Sequence, residues 1–226
     1  MKLNADFEQS VVVPARDHDF VASPTPGVER MMLDRLGGEV ARATTIVRFA
    51  PGSKFPAHTH GGGEEFLVLE GVFEDEHGRF GPGSYIRNPP ASRHTPASAQ
   101  GCVLFVKLWQ FDPKDRQELR IDTNALRSAP DAARPGVAVS PLFARSCEDV
   151  RLETWAPGTS ARIKAPGGAE ILVIEGSANF DGEHLAPWSW IRRASGAAID
   201  LAAGDEDLRL WIKTGHLDHV TAPELK

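Results

Sequence analysis

The chain has 226 residues, of which 41% are hydrophobic and 25% charged, with 25 basic and 31 acidic side chains giving a net charge of −6. This is the make-up of an ordinary globular protein, long enough for one large domain or two small ones. The mild acidity and the lack of a basic cluster exclude a nucleic-acid binder. No apolar run approaches the roughly 20 residues that span a bilayer, so no membrane association is expected.

At the N-terminus, Met1-Lys2-Leu3-Asn4-Ala5-Asp6-Phe7-Glu8 has no apolar core of a secretory signal, and a cytoplasmic location is expected. Most of the remaining chain reads as short strands, at 43–49, 65–69, 84–87, 102–110, 151–155, 170–174, 189–192 and 208–214. These runs are rich in β-branched and aromatic residues and are bounded by Gly, Pro or Asp. No long stretch has the 3.6-residue period of an amphipathic helix. A weak helical signal is confined to 117–126, inside a polar, proline-containing stretch. The two cysteines, Cys102 and Cys147, are far apart, which excludes a cysteine zinc motif and a disulfide framework.

Between the first two strands lies His58-Thr59-His60-Gly61-Gly62-Gly63-Glu64. In a strand, side chains at i and i+2 share a face, so His58 and His60 present their rings side by side. A glycine turn brings Glu64 to the same place. Two neutral imidazoles and a carboxylate suit a divalent first-row metal. The three glycines read as a tight turn, not a phosphate loop, because no helix pattern comes after them. His18, His77, His184, His216 and His219 lack partner spacing, and His216-Leu217-Asp218-His219 reads as a solvated end.

The second half of the chain repeats the first. Ala50-Pro51-Gly52 recurs as Ala156-Pro157-Gly158, Glu65-Phe66-Leu67-Val68-Leu69-Glu70-Gly71 as Glu170-Ile171-Leu172-Val173-Ile174-Glu175-Gly176, and Ser84-Tyr85-Ile86-Arg87 as Ser189-Trp190-Ile191-Arg192. The offset is 105 or 106 throughout (158 − 52 = 106, 189 − 84 = 105). Two copies of one all-β unit are therefore expected: an N-terminal unit 1–115 with the metal site, a linker 116–135, and a C-terminal unit 136–226. The second copy has lost the site. Ala169 stands opposite Glu64, Ile199 near His94, and Arg162-Ile163-Lys164-Ala165-Pro166, one residue shorter, opposite the histidine pair.

Gly52, His58, His60, Glu64 and Gly71 resemble the first cupin motif, G-x5-H-x-H-x3-E-x6-G, at every fixed position. Gly83, Pro89 and His94 resemble the second, G-x5-P-x-G-x2-H, with Ala91 in place of its glycine. This resemblance implies an all-β fold of two tandem double-stranded β-helix (jelly-roll) barrels. It implies metal ligands at His58, His60, Glu64 and His94, a set that leaves two octahedral positions open. Glu65, the direct neighbour of Glu64, competes for the acidic position; the cupin spacing favours Glu64. The expected cofactor is one divalent ion per chain, iron(II) or zinc first and nickel or manganese behind them. No catalytic residue beyond the ligands can be named.

Val28-Glu29-Arg30-Met31-Met32-Leu33-Asp34-Arg35, Phe55-Pro56-Ala57-His58-Thr59-His60 and Val106-Lys107-Leu108-Trp109-Gln110-Phe111 narrow the likeness to the ChrR-type cupin, closely over about 25–112. ChrR is an anti-sigma factor with an N-terminal zinc domain that grips sigma. No counterpart of that domain is present in this sequence, so a sigma-factor partner is not expected. The same cupin type resembles iron-dependent dioxygenases that cleave diketones and hydroxyacetophenones. Two functions are therefore expected as alternatives: a mononuclear non-haem oxygenase acting on a small carbonyl or enolisable compound, or a ChrR-like sensor binding zinc and a small ligand. A small-molecule ligand is expected in either case, and homodimerisation is a family expectation. Phe66, Val68, Tyr85, Arg87, Phe105, Lys107 and Trp109 are the candidate neighbours of the site. The repetition of Arg87 as Arg192 and Lys107 as Lys213 points to structural roles for those two.

Overall fold

A computed structural model describes residues 1–223. It consists of antiparallel strands joined by turns; the helical segments among the described residues are two single 3-10 turns, Ala15–Asp17 and Thr123–Ala125. No helix is long and apolar enough to cross a membrane. The residues form two compact units. The first contains Met1–Ala5 and Asp19–Ala125, with the described end of the chain from Thr221; the second contains Asp6–His18 and Leu126–Val220.

In the first unit, the large sheet runs Lys2–Leu3, Val28–Gly37, Ala41–Phe49, Cys102–Leu108, Glu64–Gly71, Ser84–Asn88, Leu119–Asp122. A smaller sheet orders Gly78–Phe80, Phe73–Asp75, Ala97–Ser98 and Ser53–Lys54, and His58–Thr59 pairs with Arg93–His94. Alternation along each strand turns one set of side chains inward. Val28, Phe49, Phe66, Val68, Phe73, Ile86, Leu104 and Val106 make the apolar core between the sheets. The second unit repeats this plan: Ala129–Pro130, Val137–Arg145, Glu148–Trp155, Leu208–Thr214, Ala169–Glu175, Trp190–Arg193 and Val11–Val13 form its large sheet. The double-stranded β-helix expected from the motifs is the fold of both halves.

The edges depart from the sequence reading. The stretch 117–126, with its helical signal, forms the strand Leu119–Asp122, paired with Ser84–Asn88, and is helical only in the single 3-10 turn Thr123–Ala125. An edge strand needs partners for its free backbone groups, and this segment supplies them. Val11–Val13 does the same for Trp190–Arg193 of the second unit. A segment that precedes the first copy thus completes the sheet of the second.

His216 also differs from expectation. It is 9% exposed, and its Nε2 lies 2.9 Å from Glu170 Oε1, so the C-terminal histidine pair is not a solvated end at this residue. Gly215, at φ +89°, turns the chain so that His216 folds back beside Glu170.

Candidate metal centre

His58 lies on the short strand opposite His94, and these two residues are direct register partners. His60 lies two residues on, and its backbone is fixed by hydrogen bonds between its amide and the Ser92 carbonyl and between the Ala91 amide and its own carbonyl. The three rings close on one another with centroids 4.9 Å (His58–His60), 5.1 Å (His58–His94) and 4.7 Å (His60–His94) apart. One ring nitrogen from each falls within 4.8 Å of the others, a cluster that could hold a metal ion.

Glu64 completes the group. Its Oε2 lies 3.4 Å from His60 Nε2 and 3.3 Å from His94 Nε2. The neighbouring Glu65 does not share this place. Across the sheet Glu64 faces Asn88, and Glu65 faces Arg87. Asn88 Nδ2 donates to Glu64 Oε2 at 3.1 Å, whereas Arg87 Nη1 and the Tyr85 hydroxyl donate to Glu65 Oε2 at 2.7 and 2.9 Å. Strand alternation thus sends the two adjacent carboxylates to opposite faces. Arg87 also binds Asp115 at 3.0 Å and is fully buried, so it neither orients Glu64 nor meets a substrate. Lys107 is likewise buried, donating to Thr44 Oγ1 at 3.0 Å. Phe66 and Trp109 reach the cavity; Val68 and Phe105 are buried core.

The ring tautomers follow from the acceptors beside them. His58 Nδ1 is 3.0 Å from the Pro56 carbonyl, and His94 Nδ1 is 3.2 Å from Asp75 Oδ2. Each Nδ1 therefore carries the proton, which leaves a lone pair on Nε2. His60 Nε2 and His94 Nε2 are buried without a hydrogen-bond partner, although the Glu64 carboxylate is near. Buried ring nitrogens set this close to a carboxylate call for a cation or a proton between them. The donor set and its orphaned nitrogens fit a divalent metal.

Electrostatics around the cluster are uneven. Burial pushes the His60 imidazole below its ordinary pKa, against the opposing charge of Glu64. Burial also acts to lower His94, but the hydrogen bond to Asp75 and the charges of Glu64, Asp75 and Glu76 outweigh it and raise this ring. Asp75 is held below the usual carboxylate range: burial raises it, and the bonds from His94 and from the His77 amide overcome that. An ionised Asp75 holding the far nitrogen of a candidate ligand would tune both its orientation and its basicity. Asp75→Asn is expected to weaken metal binding about 10- to 100-fold while leaving the fold intact. Competition with a chromogenic chelator measures this, and unchanged affinity would remove Asp75 from the site. No sequence motif marks Asp75 or Asn88; each is brought in by strand pairing.

The triple glycine has a steric reason. A Cβ on Gly62 would run into the Trp109 indole, and one on Gly63 would come within 2.5 Å of the Phe111 ring. Trp109 itself has φ +59° and lies over the loop beside the cluster. The glycines therefore let Trp109 and Phe111 close down on the turn between His60 and Glu64. The cluster opens into a cavity of about 420 Å³, walled by apolar side chains including Val47, Phe66, Leu104 and Val106.

Among the described residues the second unit gathers no such cluster. The positions 105 residues beyond His58, His60, Glu64 and His94 (163 − 58 = 105) are Ile163, Ala165, Ala169 and Ile199. All four belong to one buried apolar cluster. Ile163 pairs with Ile199 as His58 pairs with His94. The same framework thus packs a dry core where the first unit gathers imidazoles.

Residues 8–112 match the family model described as the ChrR cupin-like domain. No curated protein sequence matches the chain. Solved structures share the two-unit fold across nearly the whole length. A proposed glyoxylate-induced protein of Pseudomonas aeruginosa is 17% identical with a TM-score of 0.74, covering 97% of this chain and 93% of that one. The pirin YhhW of Escherichia coli, in complex with nickel(II), is 13% identical with a TM-score of 0.69, covering 92% and 99%. Quercetin 2,3-dioxygenase of Acinetobacter baumannii is 13% identical with a TM-score of 0.60, covering 93% and 79%. At such identities the likeness is one of fold, and chemistry has to be argued from residues.

Proposed function

We propose, from a chain whose residues 8–112 match the ChrR cupin-like domain and whose fold is a tandem cupin, that the first unit is a metal-dependent oxygenase. In this reading His58, His60, His94 and Glu64 hold one divalent ion, and the substrate is a small carbonyl or enolisable compound. The observation that carries it is the convergence of three ring nitrogens and a carboxylate at an apolar cavity of about 420 Å³. A purely structural site is closed by its ligands; a cavity at the donors leaves room for a substrate.

The residues divide the work. Pro56 and Asp75 hold the His58 and His94 rings by their Nδ1 protons, and Asn88 holds Glu64. Phe66, Phe73, Leu104 and Val106 wall the cavity with hydrocarbon and keep bulk water from the donors. When bound, the ion supplies Lewis-acid polarisation of substrate oxygens and a meeting point for dioxygen. Iron(II) is the ion this reading favours, and the same donors accept zinc, nickel or manganese. The dioxygenase and the nickel-bound pirin among the structural relatives accord with it.

The test is oxygen consumption. The full chain, loaded anaerobically with iron(II), is offered a panel of β-diketones and aromatic hydroxyketones and then exposed to oxygen. Stoichiometric oxygen uptake with at least one of them is expected; a flat oxygen trace over the whole panel would contradict the assignment. The match to the ChrR cupin-like domain favours a second reading, a sensor that binds a metal and a small ligand. In that case the iron-loaded chain leaves oxygen untouched, and an affinity pull-down returns a regulatory partner.

A further inference from the structure

The metal cavity has a cationic wall. Arg30 and Arg35 line it along with Glu39 and Val40. The two arginines are an odd number of residues apart on one strand, so strict alternation would put them on opposite faces. A bulge between Met32 and Asp34 breaks that alternation. Arg30 then pairs with Val47 and Arg35 with Ala43, residues of the same parity on the neighbouring strand. The bulge thus brings both guanidiniums to the interior face, where the metal cluster also opens.

Neither arginine is well neutralised there. Arg35 is 5% exposed, and its hydrogen bonds go to the backbone carbonyls of Gly38 and Glu39. Burial lowers its pKa and the charge of Arg30 lowers it further, against a contribution from Glu39. Arg30 lies 3.5 Å from Glu39, whose side chain is 70% exposed. A contact of that kind is long, screened by water and easily displaced. In the second unit the register position of Arg30 opposite Val47 is taken by Val139 opposite Glu153. The guanidiniums that reach this place in the second unit, Arg134 and Arg151, come from other positions and are neutralised by Glu153.

We infer that the metal cavity takes a small organic carboxylate, its anion held by Arg30 and Arg35 and its apolar body laid along Val47, Leu104, Val106 and Leu108 toward the histidines. The inference rests on the proposed reading of this cavity as the ligand site, and it narrows the substrate class to carbonyl compounds that also carry an acid group. Arginine forks suit this duty because they bind a carboxylate through two parallel N–H bonds.

Benzoate and benzamide test it, being alike in size and ring and different in charge. Each is titrated calorimetrically into the full chain, both zinc-loaded and metal-stripped. Benzoate is expected to bind at least about tenfold tighter than benzamide in both forms. Arg30→Gln should erase that preference without changing zinc content, and Arg35→Lys, which keeps the charge but loses the fork, should weaken benzoate severalfold. Equal binding of the two probes by the unaltered chain, or no binding of either, overturns the inference, and this comparison needs no variant to fold. A preference that survives both substitutions, or that exists only with zinc present, overturns it too. A chain that prefers benzoate yet takes up no zinc supports the carboxylate site and instead sinks the metal reading.

Discussion

His60→Ala loses stoichiometric metal. The substitution removes one of three imidazoles whose ring nitrogens lie within 4.8 Å of one another, and leaves Glu64 facing only His94 at close range. Affinity for a divalent ion is expected to fall at least about a hundredfold, some 2.8 kcal/mol, the loss of a direct donor exceeding that of an outer partner. Chelator competition on the purified variant reads the effect directly. The apo-protein should remain folded, because the second unit carries this change already: Ala165 stands in a well-packed core at the position of His60. Removing a buried ring nitrogen with no hydrogen-bond partner also removes a desolvation penalty. Thermal stability without metal should therefore be unchanged or slightly higher, while the stabilisation that added metal confers disappears. Full metal occupancy in this variant would overturn the ligand assignment.

Arg87→Ala has a large effect of another kind. Arg87 and its partners Glu65 and Asp115 have side chains 0–1% exposed, with contacts of 2.7 and 3.0 Å. Removing the guanidinium takes a charged partner from each of two interior carboxylates, a change that costs about 3–5 kcal/mol. For a chain of this size that is a drop of roughly 10 °C or more in the unfolding midpoint. Below the transition the variant should still bind one equivalent of metal, since Glu65 and Glu64 face opposite sides of the sheet. Scanning calorimetry alongside metal analysis separates the two roles. A midpoint within about 2 °C of the unaltered chain, a shift on the order of 1 kcal/mol or less, would contradict a structural role for the network.

The candidate metal cluster was the most legible part of the chain because its information is local. The i, i+2 spacing sets His58 beside His60, and a fixed spacing delivers Glu64 and His94. The repeat showed with equal clarity which unit lacks the candidate donors, and Ile163, Ala165, Ala169 and Ile199 pack as apolar core. Strand positions were also readable: 208–214 was placed to the residue, and 43–49 fell within Ala41–Phe49. What stayed hidden depends on contacts between distant segments. Glu64 and Glu65 are separated only by their cross-strand partners Asn88 and Arg87. The strands Val11–Val13 and Leu119–Asp122 are too short to signal themselves, and each exists because a sheet edge lacked a partner. The bulge that turns Arg35 to the face of Arg30 has no local signature either: the run 28–35 contains no glycine, and alternation predicts the opposite arrangement. His216 looked like part of a polar tail because Glu170, its partner, lies on another strand.

The proposed chemistry depends on one metal centre in one of two like-folded units. The most direct test is the metal content of the untagged full chain, reconstituted with zinc or iron(II), desalted and measured by elemental analysis and native mass spectrometry together. One ion per chain is predicted, falling to none when His58 and His94 are both replaced by alanine. No bound metal, two ions per chain, or an ion that survives the double replacement would contradict it.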